Sequence, residues 1–189
     1  MNQQEDIKNA VEVMRRGGVI LYPTDTVWGI GCDATNAEAV ARVYDIKHRD
    51  DSKALICLVD SDVRLQRYVR NAPEVAWQII ELAVKPTTVI FDNATGLAHN
   101  LIAEDGSIAM RVTAEPFSHE LCYRFQKPIV STSANISGQP AAQNYCDIPQ
   151  ELLDAVDYVC HSRRQEKKPH TPSSIIRIRH DGQVEIIRK

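Results

Sequence analysis

Pro128-Ile129-Val130-Ser131-Thr132-Ser133-Ala134-Asn135-Ile136-Ser137-Gly138 passes from three apolar residues straight into hydroxyls, an amide and a glycine. The apolar run reads as a buried strand. A strand that ends in small polar side chains offers many donors and acceptors and lets a ligand approach the backbone closely. Such an end can hold a phosphate or a carboxylate. It can equally be an ordinary polar turn, and composition alone slightly favours the turn. Two further segments shift that balance.

Upstream, the apolar run Gly18-Val19-Ile20-Leu21 leads into Tyr22-Pro23-Thr24-Asp25-Thr26-Val27-Trp28-Gly29-Ile30-Gly31. Pro23 cannot donate to a central ladder, so the strand should stop there. Thr24, Asp25 and Thr26 then sit at a strand end, where open α/β sheets place ligands. The threonines can instead satisfy local backbone groups. Asp25 can meet a substrate ammonium or cap a turn, with little to choose between them. The second segment, Ile46-Lys47-His48-Arg49-Asp50-Asp51-Ser52-Lys53-Ala54-Leu55-Ile56, joins a helical stretch to a strand-like one. Its cations suit phosphate, lysine as a compact charge and arginine as a fork. Alone, they read better as a solvated helix end that complements the dipole.

The remaining periodicity alternates helix and strand. Helices are expected over 7–16, 37–46, 61–68, 73–84, 116–125 and 149–155, with Gly17-Gly18 closing the first and Asn36 capping the second. Strands are expected over 19–22, 55–59, 88–91, 108–112, 129–130, 158–159, 175–178 and 184–187. Asp181-Gly182 marks the last hairpin. This is an α/β chain of mixed strand order, with no internal repeat. Arg163-Arg164-Gln165-Glu166-Lys167-Lys168-Pro169-His170 lacks large apolar side chains. It reads as a surface loop, or as a lid over a nucleotide.

In this order the three segments resemble the YrdC family, the threonylcarbamoyl-adenylate synthases, whose pattern is an aromatic before Pro-Thr-x-Thr, then Lys-x-Arg, then Ser-x-Asn. Here these stand as Tyr22 to Thr26, Lys47-His48-Arg49 and Ser133-Ala134-Asn135. Ser107-Ile108-Ala109-Met110-Arg111-Val112 looks like the family's arginine strand, and Pro172-Ser173-Ser174-Ile175-Ile176 like its late strand. The chain departs from the pattern at Leu82 to Thr88, where the family has Trp-Pro-Gly-Pro. It departs again at Lys53-Ala54-Leu55 and at Thr113. The resemblance spans nearly the whole chain and implies one YrdC-like domain over 1–189, the short form. The implied fold is a twisted mixed β-sheet flanked by helices, with a large concave, positively lined pocket.

The resemblance also implies a reaction. L-threonine, bicarbonate or carbon dioxide, and ATP give threonylcarbamoyl-AMP and pyrophosphate. Every reactant is anionic or carries an anionic group, so catalysis should rest on charge neutralisation and positioning. The implied roles follow the motifs. Lys47 and Arg49, as exposed pocket cations, and Lys53 hold the triphosphate. Ser133 and Asn135 hold phosphate oxygens and orient the carbamate. Thr24, Thr26, Arg111 and Ser131 bind threonine. Ser107, Ser173 and Ser174 contact the nucleotide. Magnesium is expected with ATP, bridging its phosphates, with few protein ligands of its own. Downstream, a TsaD-type transferase would move the group to tRNA. Two other readings remain: a tRNA- or RNA-binding paralogue without chemistry, and a paralogue acting on another acyl-adenylate.

Composition narrows the classes. The chain has 189 residues, 43% of them hydrophobic and 25% charged, ordinary for one globular core. A formal net charge of -3 argues against coating nucleic acid by bulk charge. No apolar run approaches the ~20 residues that span a bilayer. Five scattered cysteines show no zinc spacing. With neither a basic nor an apolar leader, a cytoplasmic protein is expected.

Overall fold

The computed structural model describes residues 1–48, 55–167 and 171–189. The chain opens with α1 (Gln3–Arg15), whose Asn2 side chain accepts from the Glu5 amide. Then follow β1 (Ile20–Tyr22), β2 (Gly29–Gly31), α2 (Ala37–Ile46), β3 (Ile56–Val59), α3 (Asp62–Leu65), α4 (Glu74–Leu82), β4 (Thr87–Phe91) and β5 (Ile108–Val112). The rest is α5 (Pro116–Phe125), β6 (Ile129–Ser133), a 3-10 turn (Tyr145–Asp147), α6 (Gln150–Ala155), β7 (Tyr158–Val159), β8 (Ser174–Ile178) and β9 (Val184–Arg188).

The strands form one mixed sheet, ordered β7-β1-β2-β6-β3-β5-β4-β8-β9. β1–β7, β3–β5 and β4–β8 run parallel; the other neighbours are antiparallel. Strand alternation sorts the side chains. On β5, Ala109 and Arg111 turn to a concave face, while Ile108 and Met110 turn away into the core. On β4, Ile90 turns to the concave face; Phe91 turns away and stacks on Trp77 of α4, with ring centroids 6.0 Å apart. α1, α3 and α5 pack against the sheet.

Two expectations on elements need correction. The Gly29–Gly31 strand is absent from the periodicity reading, because Gly-Ile-Gly carries no strand signal of its own. It exists because the Tyr22 ring lies over it. A Cβ on Gly31 would collide with the Val130 carbonyl and come within 2.6 Å of Tyr22 Cε1. The Tyr22 hydroxyl continues past the glycines to donate to Val130 O at 3.2 Å. The helix expected over 61–68 shrinks to the four residues of α3, since the Tyr68 amide turns back to Leu65 O and Arg70 joins Asn93.

Candidate active site

The concave face holds a cavity of about 440 Å³, within the usual range for small-molecule sites. Its floor comes from β6, where Ser131, Thr132 and Ser133 line it, with Asn135 just beyond. Thr26 and Gly29 bring in the β1–β2 turn. Arg111 enters from β5, Ser173 from the start of β8, and Arg188 from the end of β9. Among the described residues lining it, the charged ones are both arginines and none is a carboxylate. Such a donor set suits anions.

Arg111 is the most constrained of these. It is 3% exposed. Nη2 donates to Asp25 Oδ1 at 2.8 Å and lies 3.4 Å from Thr26 Oγ1; Nη1 reaches Thr88 Oγ1 at 3.3 Å. Its buried Nε has no hydrogen-bond partner among the described residues. Burial pushes the Asp25 carboxyl up, and the Arg111 charge pulls the other way. Asp25 is therefore the internal counter-ion of Arg111. Thr88 passes the contact on, since its hydroxyl lies 2.8 Å from Ser173 Oγ. A polar chain thus runs from the late strand through β4 to the Thr24–Thr26 turn.

The two threonines divide their work. Thr24 is 2% exposed; its hydroxyl donates to Val27 O at 2.7 Å and accepts from the Thr26 amide at 3.0 Å. It shapes the turn and does not line the cavity, which corrects its expected contact with threonine. Thr26 does line it.

Lys47 also differs from expectation. It caps α2 and is 2% exposed, so it is no exposed pocket cation. Its Nζ donates to Ser133 O, to Asn135 O at 2.7 Å, and lies 3.4 Å from Asn135 Oδ1. Its own carbonyl accepts from the Ser137 amide at 3.0 Å. The converging carbonyls of the serine-rich loop draw the ammonium beneath that loop. Asn135 Nδ2 closes the loop by donating to Ile136 O and Gln139 O. Arg49 and Lys53 lie outside the described residues.

Two serines stand away from the cavity. Ser107 precedes β5 in a turn closed onto Asp105, whose carboxyl it helps hold down to about 2. It lies four positions before Arg111, roughly 13 Å along the strand. Ser174 falls between Ser173 and Ile175, which both line the cavity, and alternation turns it to the other face. Ser131, Ser133, Asn135 and Ser173 sit where the motifs put them.

Sequence reasoning missed Arg188. Its Nε and Nη2 donate to Ser173 O at 3.0 and 2.9 Å. The β8–β9 register shifts between Ile175 and Ile176, so Arg188 and not Ile187 opposes Ile175. The observed closing pair is Arg179 with Gln183, one residue wider than a two-residue Asp181-Gly182 turn, and counted from that pair without a bulge Ile187 would oppose Ile175. Neither the wider loop nor the bulge shows in local sequence.

Known proteins share this architecture. The Sua5/YciO/YrdC family model, described as telomere recombination, matches residues 12–189. The chain belongs to this family. A threonylcarbamoyl-AMP synthase of Vibrio cholerae is 32% identical over 174 residues, covering 90% of this chain and 92% of its own length. One from Pseudomonas paraeruginosa is 37% identical over 152 residues, 79% of this chain and 81% of its own. Among solved structures, E. coli YciO superposes with a TM-score of 0.85 at 25% identity, covering all of this chain and 90% of that one. P. abyssi Sua5 complexed with L-threonine gives 0.83 at 22% identity, over 94% of this chain and 52% of its own, a likeness of fold. The expected twisted mixed sheet is thus the family's, and no described helix is long and apolar enough to cross a membrane.

Proposed function

We propose that this family member is an L-threonylcarbamoyladenylate synthase, a nucleotidyltransferase working in the cytoplasm. One observation carries the reading: Arg111, Thr26, Ser131, Ser133, Asn135 and Ser173 converge on one cavity lined by no described carboxylate. The similarity to named synthases over most of the chain supports it.

The threonine amine takes up carbon dioxide and loses a proton, giving a carbamate. A carbamate oxygen attacks the α-phosphorus of ATP, and pyrophosphate leaves with the electron pair of the broken P–O bond. Arg111, with Nε unmet and Thr26 beside it, receives the threonine carboxylate. Ser131, Ser133 and Asn135 present donors to the phosphates and the carbamate. Lys47 holds that loop in shape from below and places its charge under the phosphates. Arg49 and Lys53 are assigned to the triphosphate by their motif alone, and Ser173 with Arg188 bounds the nucleotide side. Magnesium accompanying ATP would neutralise phosphate charge, and the described lining of hydroxyls, amides and guanidinium groups offers it no carboxylate. Charge neutralisation and orientation then supply the catalysis, with no covalent protein nucleophile. A TsaD-type transferase is the proposed consumer of the product, with tRNA as the final acceptor.

Pyrophosphate release from ATP, magnesium, bicarbonate and L-threonine tests this, with each omitted in turn. Release that requires both threonine and bicarbonate is expected. Release indifferent to either overturns the reading.

A further inference from the structure

Between β7 at one edge of the sheet and β8 beside the other edge, the chain must cross the whole sheet. The crossing segment is anchored in its first half, while residues 168–170 of the stretch expected as a surface loop or a lid lie outside the described residues. Asp6 of α1 accepts from the amides of His161 and Ser162 and from the Tyr158 hydroxyl, all within 3.0 Å. Arg164 folds back to Cys160 O and Val159 O and lies 4.7 Å over the Tyr145 ring.

Arg163 points the other way, toward the Thr24–Thr26 turn. Its Nη1 donates to Thr24 O at 2.8 Å and lies 3.1 Å from Glu115 Oε1. Its Nη2 and Nε both lie 2.6 Å from Glu166 Oε2. Glu115 is in turn the cap of α5, accepting from the amides of Phe117 and Ser118. Arg163 takes φ 61, a left-handed conformation that costs a non-glycine residue free energy. Its several anchors hold that conformation.

The carbonyl that Arg163 grips belongs to the peptide just before Asp25. Moving it moves Asp25 and Thr26, the two side chains that Arg111 Nη2 meets. We propose that Arg163 is a positioning residue for the amino-acid substrate: it sets the Thr24–Thr26 turn so that Asp25 and Thr26 orient the Arg111 fork. This rests on the reading that Arg111 receives the threonine carboxylate. A displacement near 1 Å in such a support can cost up to about a hundredfold in rate. The effect should fall on threonine, because Arg163 touches the turn beside Arg111 and none of the serine-rich loop.

The test is steady-state kinetics of the full-length protein, varying threonine and ATP separately, on Arg163→Ala, Arg163→Lys and Arg111→Ala, each checked by thermal unfolding. Arg163→Ala should raise KM for threonine roughly tenfold, leaving KM for ATP and kcat within about twofold. Arg163→Lys should recover part of the loss, since a point charge can meet Glu115 or Thr24 O but not hold all partners. Should Arg163→Ala fail to fold, Arg163→Lys carries the test, with a threonine-only rise of a few-fold expected. An unchanged KM for threonine overturns the proposal, as does a loss shared equally by both substrates. If Arg111→Ala leaves KM for threonine unchanged, the underlying reading of Arg111 fails instead.

Discussion

Arg111 neutralises Asp25 inside the protein, and its buried Nε has no partner among the described residues; on the proposed reading it also receives the threonine carboxylate. Replacing it with alanine should raise KM for threonine by about tenfold to a hundredfold, because a bidentate, charge-assisted contact is lost. Arg111→Lys should recover little, since an ammonium cannot serve Asp25 and a carboxylate in one plane. Lys47 is a different case. Its alanine variant should lose activity and also about 1–3 kcal/mol of stability, because the Ser133 and Asn135 carbonyls lose a buried donor. Urea unfolding of purified Lys47→Ala reads that loss; an unchanged midpoint would place the ammonium elsewhere. The residue types at the site were legible, because Pro-Thr-x-Thr, Lys-x-Arg and Ser-x-Asn are local patterns. The directions of the side chains were not. Lys47 meets a loop almost ninety positions later, and Asp25 meets Arg111 across a similar gap, and neither pairing leaves a mark in local spacing.

At the level of elements, legibility followed local chemistry. α2 came out with the expected bounds, since Asn36 accepts from the amides of Glu38 and Ala39 and the apolar side chains share one face. α4 ends at Leu82 and not at 84, and nothing local marks that stop; Val84 stands almost fully exposed beyond it. β2 was invisible because its glycines serve the neighbouring tyrosine. Gly31→Ala should therefore cost about 1–3 kcal/mol through overpacking, read as a lowered thermal midpoint. The turn before β5 makes a prediction in pH. Hydrogen bonding from Ser107, then the Arg177 pair, holds the Asp105 carboxyl down to about 2, below its ordinary 3.8. A depressed folded-state value means stability that is present above the ordinary value and lost as pH falls toward 2. Asp105 is half exposed, so the contribution should stay below about 1 kcal/mol. Acid titration of unfolding in Asp105→Asn should show a shallower loss between about pH 4 and pH 2 than the parent.

For the molecule as a whole, the sheet order explains why one cavity collects residues from distant stretches. β1, β2 and β6 bring the Thr26 turn beside the serine-rich loop, while β5, β4, β8 and β9 bring the arginines and Ser173 to the same face. The alternation of helix and strand and a mixed strand order were readable, and the twisted sheet with its concave pocket followed from resemblance, not from periodicity. The late bulge that turns Arg188 inward is a property of pairing and could not be read from one strand. The most direct test of the whole account is the mass of the product formed from ATP, L-threonine and isotopically labelled bicarbonate. The account predicts an adenylate that carries threonine and the labelled carbon together, made by the parent protein and strongly diminished in Arg111→Ala at low threonine. An AMP product without threonine, or an adenylate without the label, would contradict it.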